Sequence, residues 1–411
     1  MQYVRLPGYL TYREQKVMRE KTGKTDNMTA RLLILHLSAI IIISVFSVPV
    51  FANSPSEQAE RMLAGMSTKE KITQMMVVAL PAYNAASIQS KYQFGGYILF
   101  GRDFYRTSRG GMKKLLASVQ EESDIPMLIA TDEEGGTVVR ASLYPKFRSR
   151  KFLAPRLVYY YGGYEGITRD TKTKDRFLKS LGLNCNFGPV ADVPYSRYDF
   201  MYDRAASTSA GKAGKCIRLT VTQMGKDNVV SVLKHFPGYG GNGDTHSRII
   251  RDGRSLTSFE KRDLKPFKAG IKAGADMIMV SHVKVDAFDA GRPASLSRKV
   301  HKYLRNEMDF DGVIITDGMG MSGIMDFVGG DEGKAAVRAV RAGNDMLCVT
   351  TDYNVCYKAL RDAVRSGEIS KKQLNRSVKR ILEMKIRRGL IPFYNIDSTN
   401  KNNKKDIRIK Q

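Results

Sequence analysis

Two histidines, a lysine and an aspartate lie among glycines in one short segment of the chain. The segment reads Lys234-His235-Phe236-Pro237-Gly238-Tyr239-Gly240-Gly241-Asn242-Gly243-Asp244-Thr245-His246. Glycine lets a backbone turn tightly and bring polar side chains to a ligand, at an entropic cost that a loop serving only packing avoids. The apolar residues 229–233 just before it predict a buried strand, so we expect the segment to begin where a strand ends. Catalytic residues of α/β enzymes are commonly found at such positions.

Asp317, Asp244 and His246 have side chains that could together cleave an acetal. In retaining glycoside hydrolysis a carboxylate attacks the sugar carbon, and a second group protonates the departing oxygen and later activates water. Histidine suits the second role because it titrates near neutral pH, and Asp244, two residues earlier, can fix its tautomer. From residue types and spacing alone, an aldolase or another barrel enzyme remains an open alternative. The candidates for binding sugar hydroxyls are Asp132, Arg140, Arg204 and Lys234.

Eight apolar, β-branched runs recur along the chain with room for a helix between each pair. They cover residues 73–80, 95–100, 126–131, 183–190, 229–233, 276–281, 312–316 and 345–349. Because continuous apolar runs are typical of parallel strands buried on both faces, the pattern predicts an α/β fold with crossover helices. A single (β/α)8 TIM-type barrel fits best, and a doubly wound open sheet is the alternative. Residues 258–272 and 334–341 have helical spacing, and Ser67 with Glu70 predicts a capping box.

A barrel should carry polar residues at the carboxyl ends of its strands, where enzymes of this fold keep their active sites. Polar residues follow five of the eight predicted strands. They are Asp132, Asp192, Lys234 with His235, His282 and Asp317. Five such positions in register indicate one shared site, although for His282 alone a buried core position is favoured over a ligand.

Residues 32–52 form a nearly uncharged apolar run that follows Arg31 and ends in Val50-Phe51-Ala52. This pattern predicts a secretory signal at residues 28–52, within an N-terminal extension of residues 1–52. An uncleaved membrane anchor is the competing interpretation, since ~20 apolar residues can also span a bilayer. We therefore expect a secreted or cell-envelope protein whose barrel domain covers residues 53–395.

The chain of 411 residues is strongly basic, with 67 Lys and Arg against 41 Asp and Glu. Such a surface favours anionic surroundings, for example a cell-wall polymer or a membrane surface. We find no nucleic-acid recognition motif, so nucleic acid is not an expected partner. The polar, basic residues 396–411 predict a disordered tail. This leaves no room for a second catalytic domain, so we expect the acid/base to come from the barrel.

The four cysteines show neither paired metal-ligand spacing nor a dense disulfide framework. Cys185 and Cys348 lie in apolar runs and are expected to be buried thiols that pack as small hydrophobes. No metal and no cofactor are predicted.

Residues 131–140 read Thr-Asp-Glu-Glu-Gly-Gly-Thr-Val-Val-Arg, and residues 234–238 read Lys-His-Phe-Pro-Gly, followed by Asp-x-His at 244–246. These motifs resemble those of glycoside hydrolase family 3, in its β-N-acetylhexosaminidase branch. The second motif is highly specific to that branch. Supporting matches at residues 186–193, 264–282 and 310–317 extend the resemblance from about Glu57 to Ile391.

The resemblance implies a role for each matching residue. Asp317 would be the nucleophile that forms a covalent glycosyl-enzyme, and His246 the acid/base, oriented by Asp244. The residues that would bind the non-reducing N-acetylglucosamine are Asp132, Arg140, Arg204, Lys234 and His235.

Three departures from the family pattern bear on the site, and one of them is Gly318, which follows the nucleophile where a larger residue is common. Tyr239 stands where histidine is frequent, in a loop one residue shorter than the commonest version. Glu133 replaces the usual glutamine, and we expect it to add a charge near the sugar.

Hydrolysis of terminal β-linked N-acetylglucosamine from peptidoglycan fragments or chito-oligosaccharides is the expected activity. An imidazole, unlike a carboxylate, does not repel a leaving group with a lactyl carboxylate, which favours N-acetylglucosamine linked to a muramic acid. The alternatives are a β-glucosidase or β-xylosidase of the same family, an N-acetylglucosaminide phosphorylase, and a non-catalytic wall-binding barrel.

Overall fold

The computed structural model describes residues 54–393. The predicted signal at residues 28–52, the rest of the N-terminal extension and the predicted basic tail at 396–411 lie outside the described residues. The predicted barrel domain at residues 53–395 is described over nearly its whole length.

Eight parallel strands close into a barrel at the centre of the fold. In chain order they are β1 (Met76–Ala79), β2 (Gly96–Leu99), β3 (Leu128–Thr131), β4 (Cys185–Asn186), β5 (Val230–Phe236), β7 (Met277–Val280), β9 (Val313–Gly318) and β10 (Met346–Val349). The short strands β6 (Arg251–Asp252) and β8 (Lys284–Val285) pair separately. Around the barrel the order is β1-β10-β9-β7-β5-β4-β3-β2. The predicted (β/α)8 barrel is therefore confirmed, and the open sheet is excluded because β1 pairs with both β2 and β10.

Helices surround the barrel and connect its strands. Their bounds are Pro55–Gly65, Thr68–Gln74, Ala85–Tyr92, Gly101–Tyr105, Arg109–Glu121, Pro155–Leu181, Ala210–Lys226, Leu256–Lys261, Leu264–Lys272, Asp286–Asp289, Arg298–Asn306, Ser322–Val328, Glu332–Ala342, Tyr353–Ser366 and Lys371–Arg387. The predicted capping box is present: Ser67 Oγ accepts from Glu70 N, and Glu70 Oε2 accepts from Ser67 N at 2.7 Å.

Several predicted boundaries were wrong, each for an identifiable reason. Residues 73 and 74 end the helix Thr68–Gln74, so β1 begins at Met76 rather than at Thr73. The predicted helix over 258–272 is two helices that break at Arg262 and Asp263. Pro266 accounts for the break, because its ring would clash with the carbonyl of residue 262 in a continuous helix.

The fifth strand extends further than predicted. Residues 234–236 continue β5, so Lys234 and His235 lie within the strand and not in the loop after it. Because both residues are polar, the apolar pattern of the sequence could not predict that the strand continues through them. All seven residues of β5 are buried, and both side chains therefore need charged or polar partners in the interior.

The core has the composition that a parallel barrel requires. Strands β2, β3, β7 and β10 are buried along their whole length, as expected for strands covered on both faces. Cys185 and Cys348 are buried free thiols, as predicted. Over residues 54–393, no helix has the length and hydrophobicity to cross a bilayer.

Candidate active site

Lys234 is the centre of a buried charge cluster at the carboxyl ends of β3 and β5. Its Nζ lies 2.7 Å from Asp132 Oδ1 and 2.6 Å from Glu134 Oε1, and its side chain is only 2% exposed. Burial would lower the pKa of Lys234, but the charges of Asp132 and Glu134 outweigh burial and raise that pKa. The ammonium is therefore charged at all physiological pH values and holds two carboxylates in place.

Arg204 forms the second side of this cluster. Its Nε and Nη2 donate to both oxygens of Glu134, at 2.8 and 2.7 Å. Such a bidentate pair fixes both side chains in one plane. Burial of Glu134 would raise its pKa, but Arg204 and Lys234 together hold the pKa of that carboxyl well below its ordinary value. Glu134 is thus a buried anion shared by two cations.

His235 has a tautomer that its partners define. Its Nε2 lies 3.2 Å from Arg204 Nη2, and its Nδ1 lies 2.8 Å from Asp192 Oδ2. Since a guanidinium can only donate, Nε2 must accept, and the proton is on Nδ1, where it is donated to Asp192. Asp192 also accepts from the backbone N–H groups of His235 and Tyr239, at 3.0 and 2.8 Å. The ring is therefore rigidly held.

Asp132 and Arg140 are the most exposed members of the cluster. Their side chains are 15% and 30% exposed, compared with 2% for Lys234. Arg140 Nη2 lies 3.6 Å from Asp132 Oδ2, an ion-pair distance rather than a hydrogen bond. Together they present an acceptor and a donor fork side by side, which matches neighbouring hydroxyls of a sugar.

Asp317 is the second-to-last residue of β9, and it is partly exposed. The backbone N–H of Gly318 donates to Asp317 Oδ1 at 2.8 Å. Burial opposes ionisation, but His235, His282, this N–H group and Lys234 together lower the pKa of Asp317 below its ordinary value. The carboxyl is therefore ionised near neutral pH, the form in which it can act as a nucleophile.

Asp244 and His246 form a hydrogen-bonded pair on the loop after β5. Asp244 Oδ1 accepts from the backbone N–H of His246 at 2.9 Å and lies 2.6 Å from its Nδ1. The His246 side chain is 65% exposed. Because the Asp244 carboxylate accepts a hydrogen bond from Nδ1–H, Nε2 is the nitrogen able to exchange a proton with a ligand.

The loop that carries this pair is anchored to the segment that follows Asp317. The backbone N–H of Gly323 donates to Thr245 O at 2.9 Å, and that of Ser322 to His246 O at 3.4 Å. These N–H groups open the helix Ser322–Val328, where they have no partner within the helix. The loop and the end of β9 are therefore joined through backbone hydrogen bonds.

Tyr239 connects the loop that carries His246 to the charge cluster. Its ring is buried and packs edge-to-face on His235, with centroids 5.3 Å apart. Its hydroxyl lies 2.6 Å from Thr245 Oγ1, and Thr245 itself is fully buried. The residue next to His246 is thus tied to the same framework that positions His235.

The structure places the predicted site residues in two groups, with the predicted nucleophile Asp317 standing apart from both at the end of β9. Five predicted binding residues share one contiguous network, and the predicted Asp244 and His246 form a separate exposed pair at the rim. Sequence reasoning missed Glu134 as the hub of the network, although it stands between Asp132 and the glycine pair. The sequence identified Asp192 only as a strand-end residue. In the structure its carboxylate holds the ring of His235, which accounts for a buried acid at this position.

Glu133 binds the backbone of a neighbouring loop. Its carboxylate is fully buried and accepts from the backbone N–H groups of residues 140–142, the strongest at 2.9 Å from Ala141 N. Its oxygens are directed into the loop that carries Arg140. His282 is buried, as expected, with Nδ1 at 2.7 Å from Ser295 Oγ and Nε2 at 3.0 Å from Gly318 O.

The chain has relatives among known proteins. Residues 67–384 match the glycosyl hydrolase family 3 N terminal domain. The beta-hexosaminidase of Methylococcus capsulatus is 34% identical over 263 residues, which cover 62% of this chain and 75% of that protein. The beta-hexosaminidase LpqI of Mycobacterium tuberculosis is 30% identical over 336 residues, 78% of this chain and 83% of that protein.

A solved structure with the same fold is a glycoside hydrolase family 3 beta-N-acetylglucosaminidase from Paenibacillus sp. str. FPU-7. It superposes with a TM-score of 0.73 at 28% sequence identity, covering 81% of this chain and 65% of that chain.

Proposed function

The chain belongs to glycosyl hydrolase family 3, and from this membership we propose that it is an exported, retaining β-N-acetylglucosaminidase. It would remove terminal, non-reducing β-linked N-acetylglucosamine from peptidoglycan fragments or chito-oligosaccharides. The observation that carries the proposal is the anchoring of the Asp244–His246 loop onto the segment that follows Asp317. This arrangement supports an acid/base supplied by the barrel itself.

In the proposed mechanism the charge cluster binds the terminal sugar. Asp132 accepts from a sugar hydroxyl, while Arg140, Arg204, Lys234 and His235 donate to the sugar or hold the groups that do. The ion pairs among these residues exist without ligand, so little reorganisation is needed on binding. Polar groups that are already in position need no reorganisation during the reaction, so their interactions with the sugar can stabilise the transition state.

Asp317 then attacks the anomeric carbon while the proton on His246 Nε2 passes to the departing oxygen. This step breaks the glycosidic bond and leaves the sugar covalently attached to Asp317 Oδ. In the second step His246 Nε2 takes a proton from water, whose oxygen displaces the carboxylate with a second inversion. Asp244 holds the ring and stabilises the imidazolium that exists before the first step and after the second.

An imidazole as the acid/base has a consequence for the leaving group. A carboxylate in this position would repel a lactyl carboxylate on the neighbouring sugar, whereas an imidazolium attracts it. We therefore propose N-acetylglucosamine β-linked to a muramic acid as the preferred linkage, and an anionic wall polymer or membrane surface as the place of action. The apolar residues 32–52 and the positive net charge of +26 support export to such surroundings.

Hydrolysis of aryl glycosides tests the proposed activity directly. The purified protein should release 4-nitrophenol from the β-N-acetylglucosaminide at least tenfold faster than from the β-glucoside or β-xyloside, a difference of about 1.4 kcal/mol. Product analysis in phosphate buffer should give free N-acetylglucosamine. Accumulation of the sugar 1-phosphate would identify a phosphorylase instead, and carbohydrate retention without turnover would indicate a non-catalytic barrel.

Tyr239→Phe should lower kcat about fivefold with little change in KM, because it removes one hydrogen bond to Thr245 worth about 1 kcal/mol. The ring and its contact with His235 remain, so sugar binding is preserved. Tyr303→Phe is the matched control, since its hydroxyl also makes one hydrogen bond, to Glu260 at 3.2 Å, away from the site. Equal losses in both variants would mean that Tyr239 does not position the loop.

A further inference from the structure

A second cluster of charges supports the loop that carries His246. Arg254 Nε and Nη2 donate to the carboxylate of Asp252 at 2.7 to 3.0 Å, and Arg254 Nη1 donates to Asp263 Oδ2 at 2.7 Å. Asp252 and Asp263 are 3% and 0% exposed, and the Arg254 side chain is 20% exposed. We call these three residues the Arg254 hub. Because one planar guanidinium binds both carboxylates, the hub has a single well-defined arrangement.

The first half of the loop, residues 238–242, packs directly on the Arg254 hub. Gly240 has φ 56°, and a Cβ added there would come within 2.6 Å of the Arg254 guanidinium. A Cβ added at Gly238 would come within 2.9 Å of Asp263 Cβ. At both positions the backbone lies too close to the hub for a side chain to fit. Glycine is therefore needed here so that the loop can rest on the hub.

The hub also joins this loop to the loop after β4. Arg254 Nη1 donates to the hydroxyl of Tyr195 at 3.0 Å. A Cβ added at Gly241 would lie 3.5 Å from Tyr195 Cδ2, which is ordinary van der Waals contact. From the loop side, Asn242 Nδ2 donates to Asp252 Oδ2 at 2.6 Å. Two loops at the carboxyl ends of neighbouring strands are thus held by one guanidinium and its carboxylates.

The loop has one anchor before Asp244 in the chain and one after it. The hub contacts residues 238–242, and the backbone N–H groups of Ser322 and Gly323 bind residues 245 and 246. The His246 side chain is 65% exposed, so the position of its ring depends on the backbone of the loop rather than on packing around the ring. A misplacement of about 1 Å in a reacting group can slow a reaction about 10²-fold.

We propose that Arg254 is a positioning residue for His246: it seats the first half of the loop and so keeps the imidazole where it can protonate the leaving group. This inference rests on the proposed function, in which His246 is the acid/base. Arg254 Nε, Nη1 and Nη2 all donate to protein acceptors. Arg254 therefore acts through the loop and not by binding the sugar.

The variant Arg254→Lys tests the proposal, because lysine keeps the positive charge beside both carboxylates but lacks the planar fork. Its kcat/KM for an N-acetylglucosamine disaccharide should fall about tenfold. For the 2,4-dinitrophenyl glycoside, whose leaving group needs no proton, kcat/KM should stay within about twofold of the wild type. Both values report formation of the glycosyl-enzyme. The inhibition constant of N-acetylglucosamine should be unchanged, since the charge cluster around Lys234 is intact.

The variant Asn242→Ala tests the same contact from the loop side and leaves every buried charge in place. It should give the same dependence on the leaving group with a smaller loss, about threefold for the disaccharide. This variant keeps the proposal testable if Arg254→Lys does not fold. Arg388→Lys is the matched control, because the Arg388 side chain is 15% exposed and its Nε donates to Asp276 Oδ1 at 2.6 Å, just before β7. It should leave the ratio of the two kcat/KM values unchanged.

Hydrogen–deuterium exchange over residues 237–248 measures the loop without any substrate. The backbone N–H groups of Gly238, Tyr239 and Asn242 are hydrogen-bonded, so their exchange reports opening of the loop. Exchange should be faster than in the wild type for Arg254→Lys and unchanged for Arg388→Lys.

Equal losses with both leaving groups in Arg254→Lys and Asn242→Ala, or exchange that matches the wild type, would overturn the proposal. Failure of the proposed function gives a different result, namely no hydrolysis by the wild type. Faster exchange in Arg254→Lys would in that case still support the hub as the anchor of the loop, and unchanged exchange would overturn it.

Discussion

Asp317→Asn should lower the hydrolysis of N-acetylglucosaminides by on the order of 10⁴-fold or more, while the fold and sugar binding persist. The amide keeps the shape of the side chain and can still contact Gly318 N, but its oxygen is too weak a nucleophile to form the glycosyl-enzyme. Single-turnover kinetics and mass spectrometry of a 2-fluoro sugar adduct measure the two consequences. The wild type should form the adduct on Asp317, and the variant should form none.

Asp311→Asn is the matched control for this change. Asp311 is exposed and lies just before β9, at the opposite end of the strand from Asp317. It should retain wild-type activity within about twofold, as expected of a surface substitution. An Asp317→Asn enzyme that keeps more than a tenth of the wild-type rate would exclude Asp317 as the nucleophile.

The ionisation of Asp317 also sets the direction of a pH effect. Its pKa is lowered, despite burial, by His235 and His282 and by the Gly318 N–H group. A carboxyl with a lowered pKa stays ionised as the pH falls through the ordinary titration range of aspartate. The loss of activity on the acid side should therefore not come from protonation of Asp317 until the pH is below that range.

The barrel could be predicted from the sequence because eight apolar runs are a property of the chain itself. The end of β5 could not, since Lys234 and His235 interrupt the apolar pattern. They belong to the strand only because Asp132, Glu134 and Asp192 satisfy them from neighbouring strand ends. Those contacts come from residues distant in the sequence and leave no local signal.

The roles of two adjacent glutamates show the same limit. Glu133 and Glu134 are adjacent residues of the same type. Glu133 binds backbone N–H groups, whereas Glu134 binds Lys234 and Arg204. The difference arises from the turn at Gly135 and Gly136, which have φ of 106° and 68°. A Cβ at Gly135 would come within 2.1 Å of Leu153 O, so the glycine fixes how this loop packs and which carboxylate faces the cluster.

The cluster makes its members interdependent. Glu134 is shared by Lys234 and Arg204, so removing either cation leaves a buried carboxylate with half of its compensation. A buried charge that loses its partner typically costs about 3–5 kcal/mol. Mutations of these residues therefore test the framework of the site together with sugar binding. Asp317 and His246 make few such contacts, which makes them cleaner probes of chemistry.

His246→Ala should slow hydrolysis about 10²- to 10⁴-fold for natural disaccharides, the usual contribution of a general acid. The loss should be much smaller in the first step for a 2,4-dinitrophenyl glycoside, whose leaving group departs without a proton. Asp244→Asn should produce an intermediate loss, because it keeps His246 but removes the carboxylate that lies 2.6 Å from Nδ1. Burst kinetics with both substrates separate formation of the glycosyl-enzyme from its hydrolysis.

The exposed position of His246 makes this comparison decisive, since a 65% exposed side chain contributes little to folding and its removal acts on the chemistry. Arg248→Ala, an exposed change in the same loop, is the control and should leave the leaving-group dependence unaltered. If His246→Ala slows good and poor leaving groups equally, the ring does not donate the proton. The acid would then have to be sought among the ionisable groups around Asp317, and the anchored loop would serve only to close the site.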